Sequence, residues 1–216
     1  PIYSLLGMNK TIPKTAYASV LFGKTPQETY DIAKNLKKKN FKAIKFGWEN
    51  FGLNLKRDEE HLVAARDAMK NELELMVDVG AIWGTNIEEA EKRLKIFQNA
   101  KITWLEEPFI SGGFNSYHQL AKLSYPVLLA GGEGAHNYHL AQHMIDYADI
   151  GFVQIDAGRI GGISIAKKVA DYALSKGTIY VNHTFTSHLA LSASLQPYAG
   201  IEHYDLCEYP VEPQLL

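Results

Sequence analysis

The chain has 216 residues, 46% hydrophobic and 21% charged, a composition that supplies an ordinary globular protein with ample apolar material for a core. Its formal charge is −2, from 22 basic and 24 acidic residues, and the longest basic run is Lys37-Lys38-Lys39, so electrostatic binding to nucleic acid or a membrane surface has no support. No apolar stretch reaches the roughly 18 residues of a membrane span, the start is no signal peptide, and the single cysteine, Cys207, excludes disulfide frameworks and Cys-rich zinc sites; a cytoplasmic location is expected.

Short apolar runs rich in β-branched and aromatic residues alternate with longer segments of helical period. The first strand is expected at Lys14–Ser19, followed by a helix that Thr25 caps and Pro26 opens, with the lysine run at its end. Strands follow at Phe41–Phe46 and Leu73–Val79. Asn86 then caps a helix carrying Glu88, Glu89 and Glu91, acids suited to the positive end of the helix dipole. Strands at Thr103–Glu107, Val127–Glu133 and Phe152–Asp156 come next. A helix beginning near Gly161 stops at Lys176-Gly177, and the last strands are Ile179–His183 and Tyr204–Glu208. Eight strands with helical crossovers imply an α/β fold with a parallel sheet, either doubly wound and open or closed into a TIM-type barrel.

The polar residues choose between these closures. Asp78, Glu106 and Glu107, Glu133, Asp156, His183 and Glu208 each end an expected strand, and Lys45 ends the second. From Asp78 through Glu106 the successive spacings are 28, 27, 23, 27 and 25 residues, one strand-plus-helix unit each time. Taken singly, each is an ordinary solvated loop residue. An open sheet would spread six such residues over more than about 20 Å, whereas a barrel gathers them around one mouth, where barrel active sites are built. A (β/α) barrel of about 7–8 strands is therefore expected.

Three carboxylates in one mouth cannot all stay ionised without a counter-charge. An all-oxygen set, Asp78, Glu106 and Glu133, suits a hard cation, Mg²⁺ first and Mn²⁺ second. Asp156 precedes His183 by one unit, so a carboxylate–imidazole hydrogen bond between neighbouring strands would orient the ring and strengthen it as a base. Lys45 is expected on the opposite side of the mouth from His183. A metal flanked by candidate bases suits removal of a proton next to a carboxylate.

These residues resemble the enolase superfamily, of the mandelate racemase/muconate lactonizing enzyme type, through FKAIKFGW, LMVDVG, WLEEP, AGGE, QIDAGRIGG, VNH and LCEYP, from Pro13 to Pro210. The resemblance implies Asp78, Glu106 and Glu133 as Mg²⁺ ligands, with Glu107 behind them. It implies an Asp156–His183 dyad with His183 as general base or acid, Glu208 as the acid that hydrogen-bonds the substrate carboxylate, and Lys45 as the first lysine of a Lys-x-Lys pair. The second lysine is replaced by Gly47, which removes the opposite-face base of a two-base racemase. A single base that later acts as acid suits β-elimination of water from an acid sugar, with racemase, epimerase or sugar-lactone cycloisomerase as alternatives. Residues 1–12 resemble a junction and 13–216 a barrel domain, and the resemblance leads to the expectation of a barrel lacking its final helix and its N-terminal capping domain. The competing reading of another class is a catalytically impaired barrel or assembly subunit; a third makes Lys45 a Schiff-base lysine. The expected partner is a small carboxylate substrate, and a homo-oligomer is expected.

Other residues have plainer readings. His188 rivals His183 as the strand-seven histidine. His136, His139 and His143 have helical metal spacing but no accompanying acid, which favours a solvated face, with His136 near enough to Glu133 to reach the mouth. AGRIGG is either a tight turn into a helix or a phosphate cradle. Trp48, Phe51 and Trp83 either line the pocket or pack on the rim, and Cys207 reads as an inert core thiol.

Overall fold

The computed structural model describes residues 1–48 and 50–211; the last residues of the expected barrel domain, 212–216, lie outside the described residues. A short helix α1 (Ile2–Leu5) precedes eight strands: β1 (Thr15–Leu21), β2 (Ala43–Gly47), β3 (Glu74–Asp78), β4 (Ile102–Glu106), β5 (Leu128–Gly131), β6 (Phe152–Asp156), β7 (Ile179–His183) and β8 (Leu206–Pro210). Between them run α2 (Pro26–Lys38), α3 (Leu55–Met69), α4 (Ile87–Glu91), α5 (Leu94–Asn99), α6 (Phe114–Ser124), α7 (Tyr138–Tyr147), α8 (Ile163–Lys176) and α9 (His188–Leu195). The strands form one parallel sheet in the order β7-β6-β5-β4-β3-β2-β1-β8, which curls so that β7 and β8 come together in a nearly closed α/β barrel.

Strand alternation divides the side chains into two cores. Tyr17, Ala43, Met76, Trp104, Ala130, Phe152 and Val181 fill the barrel interior as a separate cluster. The opposite faces of the strands, including Ile44, Phe46, Leu75, Val77, Val153 and Ile155, pack under the helices. Two residues beyond the interior layer on several strands lie Lys45, Asp78, Glu106, Gln154 and His183, so the polar mouth continues the inward alternation of the floor beneath it.

The helix signals act as expected. Thr25 accepts from the Glu28 N–H at 3.2 Å with Pro26 in the first turn, Asn86 accepts from the Glu88 N–H at 3.1 Å, and Gly177 ends α8 at φ 76°. The Asn86 helix is short and gives way at Arg93 to α5.

β6 and β7 have the expected limits, the other strands shift by one or two residues at one or both ends, and three of these shifts bear on the site. The expected strand Val127–Glu133 ends at Gly131, because Gly132 takes φ 117° and turns the chain, leaving Glu133 in a loop. The fourth strand ends at Glu106 rather than Glu107, which occupies the left-handed region at φ 41°. β8 reaches Pro210, in register with Ser19 of β1, so Glu208 stands inside the strand rather than at its end. A proline fits there because the missing N–H is at the end of the ladder.

Candidate active site and metal centre

Asp78 ends β3, Glu106 ends β4 and Glu133 follows β5, and each offers one oxygen to a group lying within 4.8 Å of one another. Asp78 and Glu106 are buried. Burial raises the Asp78 acid well above the carboxylate range, and the neighbouring Glu106 charge adds to it; burial likewise raises Glu106 despite Lys45. The mouth thus holds more negative charge than its cations offset. A convergent set of carboxylate oxygens in that state fits a hard divalent cation.

Glu106 is the most enclosed of the three. Its Oε2 accepts from Gln154 Nε2 at 2.6 Å and Trp104 Nε1 at 3.0 Å, while Oε1 accepts from Lys45 Nζ at 2.5 Å. Lys45 also reaches Glu208 Oε1 at 2.8 Å and Asp78 Oδ2 at 3.7 Å. Burial alone would lower the Lys45 ammonium, but the Glu106 and Glu208 charges outweigh it and hold the group well above its usual value. This buried cation is therefore charged, which disfavours the Schiff-base reading, since that chemistry needs the neutral amine.

On the facing arc, His183 Nδ1 lies 2.9 Å from Asp156 Oδ2, and its Nε2 lies 3.1 Å from Glu133 Oε2. Burial pulls the imidazole down, but the bonds to Asp156 and Glu133 prevail and raise it to about 10. Burial also pushes Glu133 up, and the His183 bond and charge overcome it, leaving that acid at about 2. Asp156 Oδ1 accepts from the Gly158 and Arg159 N–H groups at 2.8 and 3.0 Å, so its remaining oxygen faces the ring. Glu107, buried behind the trio, is raised to about 8 by burial and by the charges of Glu133 and Glu106. Burial would raise Glu208 as well, yet Lys45 and His183 draw it below the usual value, and its Oε2 accepts from the Thr184 N–H at 2.8 Å.

Lys45, Asp78, His183 and Glu208 border a cavity of about 520 Å³ that continues past Gly47, Trp48 and Phe185. A second groove, about 620 Å³, lies outside the barrel along α2 and α3, away from the strand ends.

Every residue singled out from strand spacing for the mouth is thus brought together there. The other candidates separate. His188 is exposed at the start of α9, and His136, His139 and His143 are exposed. The AGRIGG turn uses its N–H groups internally, on Asp156 and on the Ala157 carbonyl, which is the tight-turn reading. Phe51 is buried, stacking on Phe22 with ring centroids 4.5 Å apart, and Trp83 is buried with Nε1 donating to the Gly52 carbonyl; only Trp48 of the three reaches the cavity. Burial pushes the Cys207 thiol up to about 11, an inert group. Sequence reasoning passed over Trp104, Gln154, Asn182, Thr184 and Arg159, whose Nη1 meets Glu133 Oε1 at 2.9 Å. Trp104 and Gln154 stand two positions before Glu106 and Asp156, so the inward alternation could have found them.

Among known proteins, the family described as enolase C-terminal domain-like matches residues 28–215. An L-talarate/galactarate dehydratase of Salmonella typhimurium (strain LT2) is 32% identical over 154 residues, covering 70% of this chain and 38% of its own. A D-galactarolactone cycloisomerase of Agrobacterium fabrum is 26% identical over 162 residues, covering 75% of this chain and 42% of its own. A solved structure described as a predicted mandelate racemase from Rhodobacter sphaeroides superposes with a TM-score of 0.93 at 51% identity, over 98% of this chain and 55% of that one. The chain thus spans about half the length of the relatives it matches, or less. No helix among the described residues is long and apolar enough to cross a membrane.

Proposed function

The chain belongs to the enolase C-terminal domain-like family, and from that premise we propose that it forms the barrel of a divalent-metal-dependent acid-sugar dehydratase. The observation that carries this reading is the convergence of Asp78, Glu106 and Glu133 oxygens within 4.8 Å, beside an imidazole held at 2.9 Å by Asp156.

In this reading Asp78, Glu106 and Glu133 hold Mg²⁺, with Mn²⁺ as the substitute. The ion supplies Lewis-acid stabilisation of the negative charge that develops on the substrate carboxylate as its α-proton leaves. His183 takes that proton at Nε2 while Asp156 holds Nδ1–H and fixes the tautomer. The same nitrogen then returns the proton to the β-hydroxyl, which departs as water; the enol left behind tautomerises to a 2-keto acid. Lys45 sets a buried positive charge beside the substrate carboxylate, and Glu208, pinned by Lys45 and the Thr184 N–H, hydrogen-bonds that carboxylate once it has taken up a proton. Gly47 offers no base for the opposite face, which favours elimination over racemisation.

Cycloisomerisation draws on the same base and is the second reading, favoured by the likeness to a galactarolactone cycloisomerase. A library of acid sugars and their lactones in D₂O, followed by proton NMR, separates the outcomes. Dehydration predicts Mg²⁺-dependent exchange at the α-carbon with a keto-acid product; a lactone rearranging under the same conditions selects the second reading. Exchange that persists unchanged in His183→Asn removes His183 as the base, and the lack of both exchange and turnover with metal bound overturns both readings and leaves the non-catalytic barrel.

A further inference from the structure

Adjacent strands in the sheet are joined by backbone ladders, but none joins β7 to β8 among the described residues. The Asn182 side chain reaches across that seam to the β8 backbone. Asn182 lies on β7 next to His183 and, by alternation, on the opposite face, away from the barrel interior. It is fully buried, at a position where strand patterning would place an aliphatic residue. Its Oδ1 accepts from the Glu208 N–H at 2.9 Å and from the Tyr198 hydroxyl at 2.8 Å. Its Nδ2 donates to Ser194 Oγ at 3.0 Å and to the Glu208 carbonyl at 3.4 Å.

The orientation of this amide is determined by its partners, because a backbone N–H can only donate and a carbonyl can only accept. Asn182 therefore addresses both backbone polar groups of residue 208, as a ladder would. From the other side of His183, the Thr184 N–H donates to Glu208 Oε2 at 2.8 Å. Residues 182 and 184 thus grip Glu208 by its backbone and its carboxylate, with His183 between them. The β1 ladder pairs Tyr17 with Glu208 and places β8 relative to the Lys45 side of the barrel, not the His183 side.

We infer that Asn182 is a positioning residue that sets β8 against β7 and so the place of Glu208 relative to His183. The inference rests on the functional reading above, in which those two side chains meet one substrate. It also explains a buried polar residue that packing alone would disfavour, since all of its hydrogen-bonding groups are used.

Asn182→Ala and Asn182→Asp test it by three measurements on the metal-loaded chain: amide hydrogen exchange, Mg²⁺ titration and substrate α-proton exchange. In Asn182→Ala the Glu208 amide should lose roughly tenfold or more of its protection, as removal of a buried hydrogen bond implies, while amides of β3 to β5 keep theirs. Mg²⁺ affinity should stay within about twofold, because its candidate ligands lie on other strands, while kcat falls about tenfold with KM little changed. Asn182→Asp keeps an acceptor for the Glu208 N–H and should restore much of that protection; it also serves if the alanine variant does not fold. Unchanged Glu208 protection, or protection lost evenly across the sheet, would overturn the inference. The amide and metal measurements need no turnover, so a chain without proton exchange removes the functional reading and leaves this one to be judged by them.

Discussion

His183 Nε2 lies 3.1 Å from Glu133 Oε2, which pairs the candidate base directly with a candidate metal ligand. The two groups perturb each other in opposite senses, the imidazole rising to about 10 and the acid falling to about 2. Such a pair couples proton affinity to cation affinity, because a divalent ion and an imidazolium proton draw on the same carboxylate oxygens. His183 can act as a base only after that proton has gone.

Mg²⁺ binding should accordingly release about one proton per ion at neutral pH, and its affinity should strengthen as pH rises. Calorimetry in buffers of different ionisation enthalpy measures the release directly. Stability without metal should run the other way. His183 is raised above the ordinary value near 6.5, so its contribution is fully present below about pH 6.5 and is lost as pH rises through about 10. Glu107, raised to about 8, adds a loss in the same direction as it ionises. Melting temperature without metal should therefore fall between about pH 6.5 and 10, and Glu133→Gln should flatten the His183 part of that slope.

His183→Asn should retain Mg²⁺ binding and lose α-proton exchange by about two to four orders of magnitude, the usual range for a general base. Asp156→Asn should reduce exchange as well, since the amide no longer accepts from Nδ1–H while the Gly158 and Arg159 N–H groups can still anchor its oxygen. Rate measurements at saturating metal separate the two: an Asp156→Asn pH–rate profile whose base limb moves to lower pH, with a reduced plateau, would show that the dyad acts through imidazole basicity. A His183→Asn variant as fast as the parent would remove His183 from the chemistry.

The barrel and its mouth were legible because both follow from periodicity. Inward alternation placed Lys45, Asp78, Glu106, Asp156, His183 and Glu208 on one side of their strands, and the crossover spacing placed the strands in succession. What escaped was whatever depends on a partner distant in sequence. Gln154 donates to Glu106 across 48 positions, and Asn182 meets Glu208 across 26, and neither relationship leaves a local pattern. The pairing of His183 with Glu133 was hidden for the same reason: strand spacing suggested Asp156 as its partner, which it has, but not a second acid reached from a loop. Phe51 was left between lining the pocket and packing, because its partner Phe22, on which it stacks, lies 29 positions away and leaves no local pattern.

Gln154→Leu isolates one of those distant relationships. The substitution removes a donor to Glu106 at 2.6 Å, but it also removes the side-chain carbonyl of Gln154, a buried acceptor with no partner of its own. The two effects oppose one another in stability, so the melting temperature should move little. Glu106, deprived of one of three donors, becomes a poorer anion, and Mg²⁺ affinity should fall by about 10- to 100-fold. Titration of metal binding checks this, and a large drop in melting temperature with affinity intact would contradict it.

The loop that carries Trp48 to the cavity depends on an ion pair well outside the mouth. Arg93 Nε meets Asp58 Oδ2 at 2.7 Å with both side chains buried, Asp58 Oδ1 accepts from the Gly52 N–H at 2.9 Å, and Arg93 Nη2 donates to the Gly52 carbonyl at 2.8 Å. Gly52 sits at φ 93°, a left-handed backbone that an L side chain would strain, and Trp83 Nε1 adds a further bond to its carbonyl. Asp58→Ala leaves a buried guanidinium uncompensated and should cost about 3–5 kcal/mol, whereas Glu89→Ala, which removes only the solvent-screened partner of the same arginine, should cost much less. Thermal unfolding of the two variants gives the ranking. Because the Gly52 clamp anchors the chain just beyond Trp48, Asp58→Ala should also raise KM more than it lowers kcat, with metal affinity preserved; equal losses in the two variants would show that Asp58 holds Arg93 no more firmly than Glu89 does.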